Sequence, residues 1–262
     1  MGEVTMNCKI CQNISAKKFT ARVLNKYDVD YFYCSTCGFL QTEEPYWLKE
    51  AYSDSITLSD TGILERNQLF AKNVSLLLAT SFSIEGNYVD YAGGYGIFTR
   101  LMRDIGFNFY WKDPYTKNLV ARGFEYSNTL SPIEAITTFE AFEHFVHPIE
   151  ELEKMLAITK NIIFSTQILP ETVPHPDHWW YYVLAHGQHV SLYSKKTLEF
   201  IAQKYSLNFY CFDSFHVLTT KKLNEAYLKF IFRFQKYGIR KFILKKLSSK
   251  TFSDFESFSS KK

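Results

Sequence analysis

The chain has 262 residues, of which 46% are hydrophobic, 18% aromatic and 22% charged, with a formal net charge of +3. It is too apolar and too evenly charged for a disordered chain and too long for a disulfide-stapled miniprotein, so it reads as a globular protein with one large domain and an accessory module. No apolar run approaches the roughly 18 to 20 residues of a membrane helix, and the first residues lack the basic stretch and apolar core of a secretory signal. A cytoplasmic location with reduced thiols is therefore expected. The averages hide an uneven distribution. Residues 221 to 250 hold ten Lys or Arg against the single acid Glu225, a local charge of +9 that leaves the first 220 residues at −6. Four of the five cysteines fall in the first 37 residues, and six of the seven histidines lie between His144 and His189.

The N-terminal segment carries Cys8-Lys9-Ile10-Cys11 and Cys34-Ser35-Thr36-Cys37, two Cys-x-x-Cys pairs separated by 22 residues. Zinc prefers four thiolates in a tetrahedron, and each pair presents two sulfurs from one tight turn. Gly38 follows the second pair as a natural turning residue, and the alternation of Lys26 to Tyr33 predicts a strand leading into it. Residues 1–45 thus resemble a zinc ribbon. Four thiolates leave no open position, so the zinc is expected to be structural, and a module this small would not hold its fold without it. Cys211, among Phe209, Tyr210 and Phe212, is expected to be a core residue.

From about residue 87 the pattern alternates strand and helix, which predicts an α/β architecture with a parallel sheet. Tyr88-Val89-Asp90-Tyr91-Ala92 reads as a buried strand and Gly93-Gly94-Tyr95-Gly96 as a tight turn. A helix through Ile97, Leu101, Met102 and Ile105 then stops at Gly106. Strand, glycine turn and helix make a site for a nucleotide-bearing ligand. The glycines fit no dinucleotide frame, because the third would fall on Thr99 or Ile97. A second strand, from Phe107 to Lys112, ends in Asp113-Pro114, where an acid is placed to accept hydrogen bonds from ribose hydroxyls. Ala135-Ile136-Thr137-Thr138-Phe139 predicts a further strand, Pro148 opens a helix, and residues 161–166 form another strand.

These segments resemble the class I S-adenosylmethionine-dependent methyltransferases. Asp90-Tyr91-Ala92-Gly93-Gly94-Tyr95-Gly96 matches their first motif with the first glycine replaced by Ala92. Phe139-Glu140-Ala141-Phe142-Glu143-His144 matches the run that borders the methyl donor. The resemblance implies a Rossmann-like class I methyltransferase sheet with helices on both faces, over residues 46–220. It also implies S-adenosylmethionine as cofactor, bound by Asp90, Ala92, Gly93, Gly94, Gly96, Asp113, Phe139, Glu140 and Glu143.

Residues 175–194 are dense in His, Trp and Tyr, a composition suited to a sugar or nucleotide and unusual for a loop. Bacterial sugar methyltransferases with an N-terminal zinc module carry a Glu-His pair before a Ser/Tyr-rich stretch, and the matching pair here is Gln188-His189. The resemblance implies catalytic roles for His189 and His144, with His189 deprotonating a hydroxyl. It also implies acceptor contacts from His178, Trp179, Trp180, Tyr181, Gln188 and Tyr193. The acceptor it implies is a small molecule, a sugar nucleotide or a related precursor such as a phosphoramidate group, made for a capsule or O-antigen. A second zinc built from His175, Asp177, His178 or His186 matches no common spacing.

Residues 221–262 form a basic tail in which apolar residues recur near helical spacing up to Leu247, and residues 248–262 are expected to fray. Such a helix can dock on its own domain or lie on an anionic membrane, which would put the protein at the inner face of the membrane. An RNA methyltransferase with a zinc module is the first alternative, and the acidic body speaks against nucleic acid as a partner. A non-catalytic S-adenosylmethionine-binding scaffold is the second.

Overall fold

The computed structural model describes residues 4–52 and 60–259. Its first part is an antiparallel stack of β1 (Thr5–Asn7), β2 (Ile14–Val23), β3 (Tyr27–Tyr33) and β4 (Phe39–Thr42). Leu24 and Asn25 both have φ of 54°, the left-handed centre of the tight turn that the Lys26 N–H closes on the Val23 carbonyl at 3.0 Å between β2 and β3. Alternation does the rest, since Ala21, Val23, Val29 and Tyr31 point into one core while Thr20 and Arg22 face out. The two cysteine pairs occupy the β1–β2 and β3–β4 connections, at the same end of the stack.

A short α1 (Leu48–Ala51) and a long α2 (Ile63–Ser81) lead into the second part. There β5 (Asn87–Tyr91), α3 (Ile97–Ile105), β6 (Asn108–Lys112), β7 (Ile133–Thr138), α4 (Pro148–Leu156) and β8 (Ile162–Phe164) follow one another. They are succeeded by β9 (Ser191–Tyr193), α5 (Lys195–Lys204), β10 (Asn208–Cys211) and β11 (His216–Thr219). The larger sheet has the order β10-β11-β8-β7-β5-β6, with β6, β5, β7 and β8 parallel and β11 antiparallel to β8. Buried runs such as Tyr88-Val89 and Ala135-Ile136 are typical of a sheet covered on both faces. Strand order reverses at β5, whose neighbours are β6 and β7, so a crevice for a ligand opens at the carboxyl ends of these strands.

β9 belongs to the other sheet. It pairs antiparallel with β4, Phe39 opposite Tyr193 and Leu40 opposite Leu192. The fifth strand of the cysteine-bearing sheet therefore comes from the segment immediately after Gln188-His189.

The basic tail folds as α6 (Glu225–Phe234), α7 (Ile239–Ile243) and α8 (Thr251–Ser259). Leu228 and Ile231 are buried in one cluster with Val74 and Leu77 of α2, so the apolar side of the tail docks on the body. Fraying is corrected over residues 248–259. α8 is anchored by Asp254, whose carboxylate accepts from Arg103 Nε at 2.8 Å and Nη2 at 2.6 Å. Among the described residues no helix is long and apolar enough to cross a membrane.

Candidate active site

The β5–α3 turn forms the floor of the crevice. Gly94 has φ of +53° and nothing within 4 Å of the place a Cβ would occupy, so bare backbone faces open space. Gly96 precedes α3 with φ of +86°, and no side chain caps that helix. Trp111 Nε1 donates to the Gly94 carbonyl at 2.8 Å, and the Gly94 N–H donates to Asp113 Oδ2 at 3.0 Å, which ties the turn to the end of β6. Asp113 Oδ1 accepts from the N–H groups of Tyr115 and Thr116 at 2.8 and 3.0 Å. A carboxylate has about four acceptor positions, so with three backbone donors in place this fixed group keeps about one for a ribose hydroxyl.

Ala92 sits at φ of 57°, a conformation that costs an L-residue about 1 kcal/mol. The structure thus explains the motif's expectation of glycine at this position. Ala92→Gly is expected to leave stability unchanged or raise it by up to about 1 kcal/mol, read from urea unfolding. A loss beyond that range would mean the methyl group packs favourably.

Asp90 lies beneath the turn rather than in it. It is 2% exposed, and its oxygens accept from Thr99 Oγ1 at 2.9 Å and Thr137 Oγ1 at 3.2 Å, linking β5, α3 and β7. It holds the turn from below. Burial, against those hydrogen bonds, pushes the carboxyl from 3.8 up to about 7. The folded chain then keeps a proton that the unfolded chain has released, so this contribution to stability is complete below the lower value. It falls by roughly 1.4 kcal/mol per pH unit as pH rises toward the upper one. Asp90→Asn is expected to flatten that dependence, measured as unfolding free energy between pH 4.5 and 7.5. Parallel curves for the two proteins would contradict it.

The segment after β7 carries the other half of the site. Glu140 has φ of 51°; its N–H donates to Ser165 Oγ at 2.7 Å, and that hydroxyl donates back to Glu140 Oε1 at 2.7 Å. Phe139 stacks on Phe70 at 4.3 Å and meets Phe98 edge-on at 4.8 Å, so its half-buried ring packs against the core. Glu143 is fully buried. Burial, then the Glu140 charge, push its carboxyl up to about 8, while the nearby Tyr181 and Thr166 hydroxyls favour the charged form.

The Val190 N–H donates to the Glu143 carbonyl at 2.9 Å and draws His189 to this spot. The His144 and His189 rings then meet edge-on at 4.9 Å. Burial pulls His144 down to about 4, and burial followed by His144 pulls His189 down to about 3. Both imidazoles are neutral at ordinary pH and weak proton acceptors, which weakens the expectation of His189 as the base.

The residues expected to touch the acceptor divide. Tyr181 packs against the His189 ring at 4.6 Å, and Gln188 Nε2 donates to the Ala51 carbonyl at 2.7 Å. Trp179 is half-buried against Tyr182, whereas His178 and Trp180 stand exposed. Tyr193 is corrected to a buried strut, fully inaccessible, with its hydroxyl donating to the Phe142 carbonyl at 3.0 Å. Pairing of β9 with β4 turns it inward. Tyr52, whose hydroxyl lies 2.9 Å from His144 Nδ1, was not legible in sequence, for it carries no motif.

The four N-terminal cysteines converge as predicted, with all sulfurs within 4.8 Å of one another. Cys8 Sγ lies 3.5 Å from Cys37 Sγ and Cys11 Sγ 3.4 Å from Cys34 Sγ, near the edge of about 3.8 Å that Zn–S bonds of about 2.3 Å give a tetrahedron. A hydrogen bond from Cys37 holds the Cys8 thiol below the usual range, so a thiolate is favoured there. The donor set fits zinc. α5 braces the second knuckle, since Thr197 Oγ1 donates to the Cys37 carbonyl at 2.9 Å and Lys196 Nζ to the Ser35 carbonyl at 2.8 Å. The first part is also tied to the histidine loop, through Trp47 Nε1 and the Gly187 carbonyl at 2.7 Å.

A family profile described as a methyltransferase domain matches residues 64–211, more than half of the chain. No curated protein matches. Among solved structures, OxaC in complex with sinefungin and meleagrin is 16% identical with a TM-score of 0.41, over 54% of this chain and 44% of that one. TnmH is 14% identical with a TM-score of 0.46, over 66% and 60%. An O-methyltransferase family protein from Burkholderia thailandensis is 11% identical with a TM-score of 0.42, over 66% of each chain. The chain spans under half the length of OxaC, at 44%.

Proposed function

This chain belongs to the methyltransferase domain family, and from that premise we propose that it transfers the methyl group of S-adenosylmethionine to an oxygen of a small-molecule acceptor. The bound cofactor would supply a methyl group on a sulfonium. The acceptor oxygen would take that methyl group with its own electron pair, the S–C bonding electrons leaving on the thioether, and would lose its proton to solvent. The chain's own part is to hold the two reactants in line, which can supply much of the acceleration. Gly94 and Gly96 give the cofactor access to the start of α3, Asp113 receives its ribose, and the loop 186–190 lies over the acceptor side. Cys8, Cys11, Cys34 and Cys37 would hold a structural zinc.

The observation that carries this reading is Asp113, fixed by the Gly94 N–H at 3.0 Å at the carboxyl end of the parallel strands. Calorimetry on the full chain tests it. S-adenosylmethionine should bind, and Asp113→Ala should weaken binding by about 10- to 100-fold, the worth of hydrogen bonds to a charged group. Absent binding, or binding undiminished in the variant, would overturn it.

For the acceptor we propose a sugar nucleotide or a related precursor of a surface polysaccharide. The charge of −6 over the first 220 residues supports this over RNA, which needs a basic face. Methylation of RNA in preference to sugar nucleotides would reverse that choice.

A further inference from the structure

Among the described residues, both carboxylate oxygens of Glu143 are buried without a hydrogen bond of full geometry, the Tyr181 and Thr166 hydroxyls standing near them. A buried carboxyl in such a place either keeps its proton or is matched by a cation, and ligand atoms gathered around it mark the second case. No Lys or Arg is paired with Glu143 among the described ion pairs; what converges on it is two imidazoles. One ligand atom each from Glu143, His144 and His189 can be chosen so that all lie within 4.8 Å of one another.

We propose that Glu143, His144 and His189 form a second metal site, for a divalent first-row transition ion, distinct from the four-cysteine cluster. The tautomers favour it. A carbonyl can only accept, so the Tyr181 carbonyl at 2.7 Å from His189 Nδ1 calls for a proton there and leaves the lone pair on Nε2. His144 Nδ1 meets both the Gln188 carbonyl at 3.2 Å and the Tyr52 hydroxyl at 2.9 Å, and a proton on Nδ1 with that hydroxyl as acceptor leaves its Nε2 free as well. Metal-binding histidines are held in this way, with the other ring nitrogen donating to a backbone carbonyl. The backbone also builds the site, since the Val190 N–H bonds the Glu143 carbonyl at 2.9 Å and locks the two ligand segments together. Two imidazoles and a carboxylate suit zinc, iron, cobalt or nickel, whereas four thiolates make a closed zinc shell.

Three protein ligands leave open positions for an oxygen of the acceptor. This last step rests on the methyl-transfer reading; the site itself does not. A metal-held hydroxyl loses its proton to solvent at lower pH, which would relieve two weakly basic histidines of that task.

The test uses the full chain, loaded with excess zinc, desalted and assayed for metal by mass spectrometry. Two ions per chain are expected for the wild type and one for Glu143→Gln and for His189→Gln. Cobalt entering the second site should give ligand-field absorption without added sulfur-to-cobalt charge transfer. One ion in the wild type, or two in both variants, overturns the proposal. If one variant does not fold, the other and the wild-type count decide. Calorimetry with S-adenosylmethionine on the same samples separates the two readings. A wild type that binds it but holds one ion ends the metal proposal alone, and one that holds two ions without binding it ends the methyl-transfer reading alone.

Discussion

Stripping metal from the four-cysteine cluster with a chelator, or replacing Cys34 with serine, is expected to unfold the N-terminal sheet and to abolish methyl transfer with it. The size follows from the site. Structural zinc contributes on the order of 10 kcal/mol, as much as the whole stability of an ordinary domain. Cys8, Cys34 and Cys37 are fully buried in one cluster with Phe39, Phe142 and Tyr193, so losing the ion strikes the packing shared by both sheets. Loss spreads to the histidines because β4 holds β9, and Trp47 and Gln188 hold the loop before it. Thermal melting and amide hydrogen exchange check it. Fast exchange should appear in residues 27–42 and 187–193 together, and a chelated protein with an unchanged melt would refute the structural role.

Asp254→Ala is expected to cost about 3 to 5 kcal/mol, a large effect for a residue near the end of the chain. Arg103 is 6% exposed and gives two hydrogen bonds to Asp254; its third goes to the Phe109 carbonyl at 3.1 Å. Its guanidinium also lies 3.5 Å from the centre of the Phe124 ring. Burial alone would raise the Asp254 carboxyl, but Arg103 and then Arg100 hold it below the usual carboxylate range. Removing the acid leaves a buried guanidinium without a counter-charge. Because Arg103 belongs to α3, whose first turn borders the proposed cofactor site, binding of S-adenosylmethionine is expected to weaken as well. Urea unfolding of the variant decides, and a change below about 1 kcal/mol would mean that water compensates the guanidinium.

Much of the site was legible because its signals are local. The Cys-x-x-Cys spacing, the glycine turn, Gly106 as helix stop and Pro148 as helix start each act within a few residues. Asp113 could be read from its position at the end of a strand. What escaped depends on long-range pairing. Nothing near Ser191–Tyr193 announces that it joins β4, so Tyr193 was assigned to the acceptor when its ring faces the core. The docking of α8 likewise turns on one acid meeting one arginine far away in sequence. Tyr52 and the convergence of Glu143 with two histidines arise only when three separate segments are brought together.

The pairing of Leu40 with Leu192 also fixes an order of events. The β1–β4 stack is built from contiguous sequence, with tight turns and both cysteine pairs at one end, so its contacts are local. The loop bearing His189 cannot be set until the chain has continued through four parallel strands and come back to that waiting edge. Contacts so distant in sequence form late and slow a fold. The loop bearing His189 therefore hangs on the most distant contacts of the fold, and opening of the seam between the two sheets is expected to displace it before the rest unfolds.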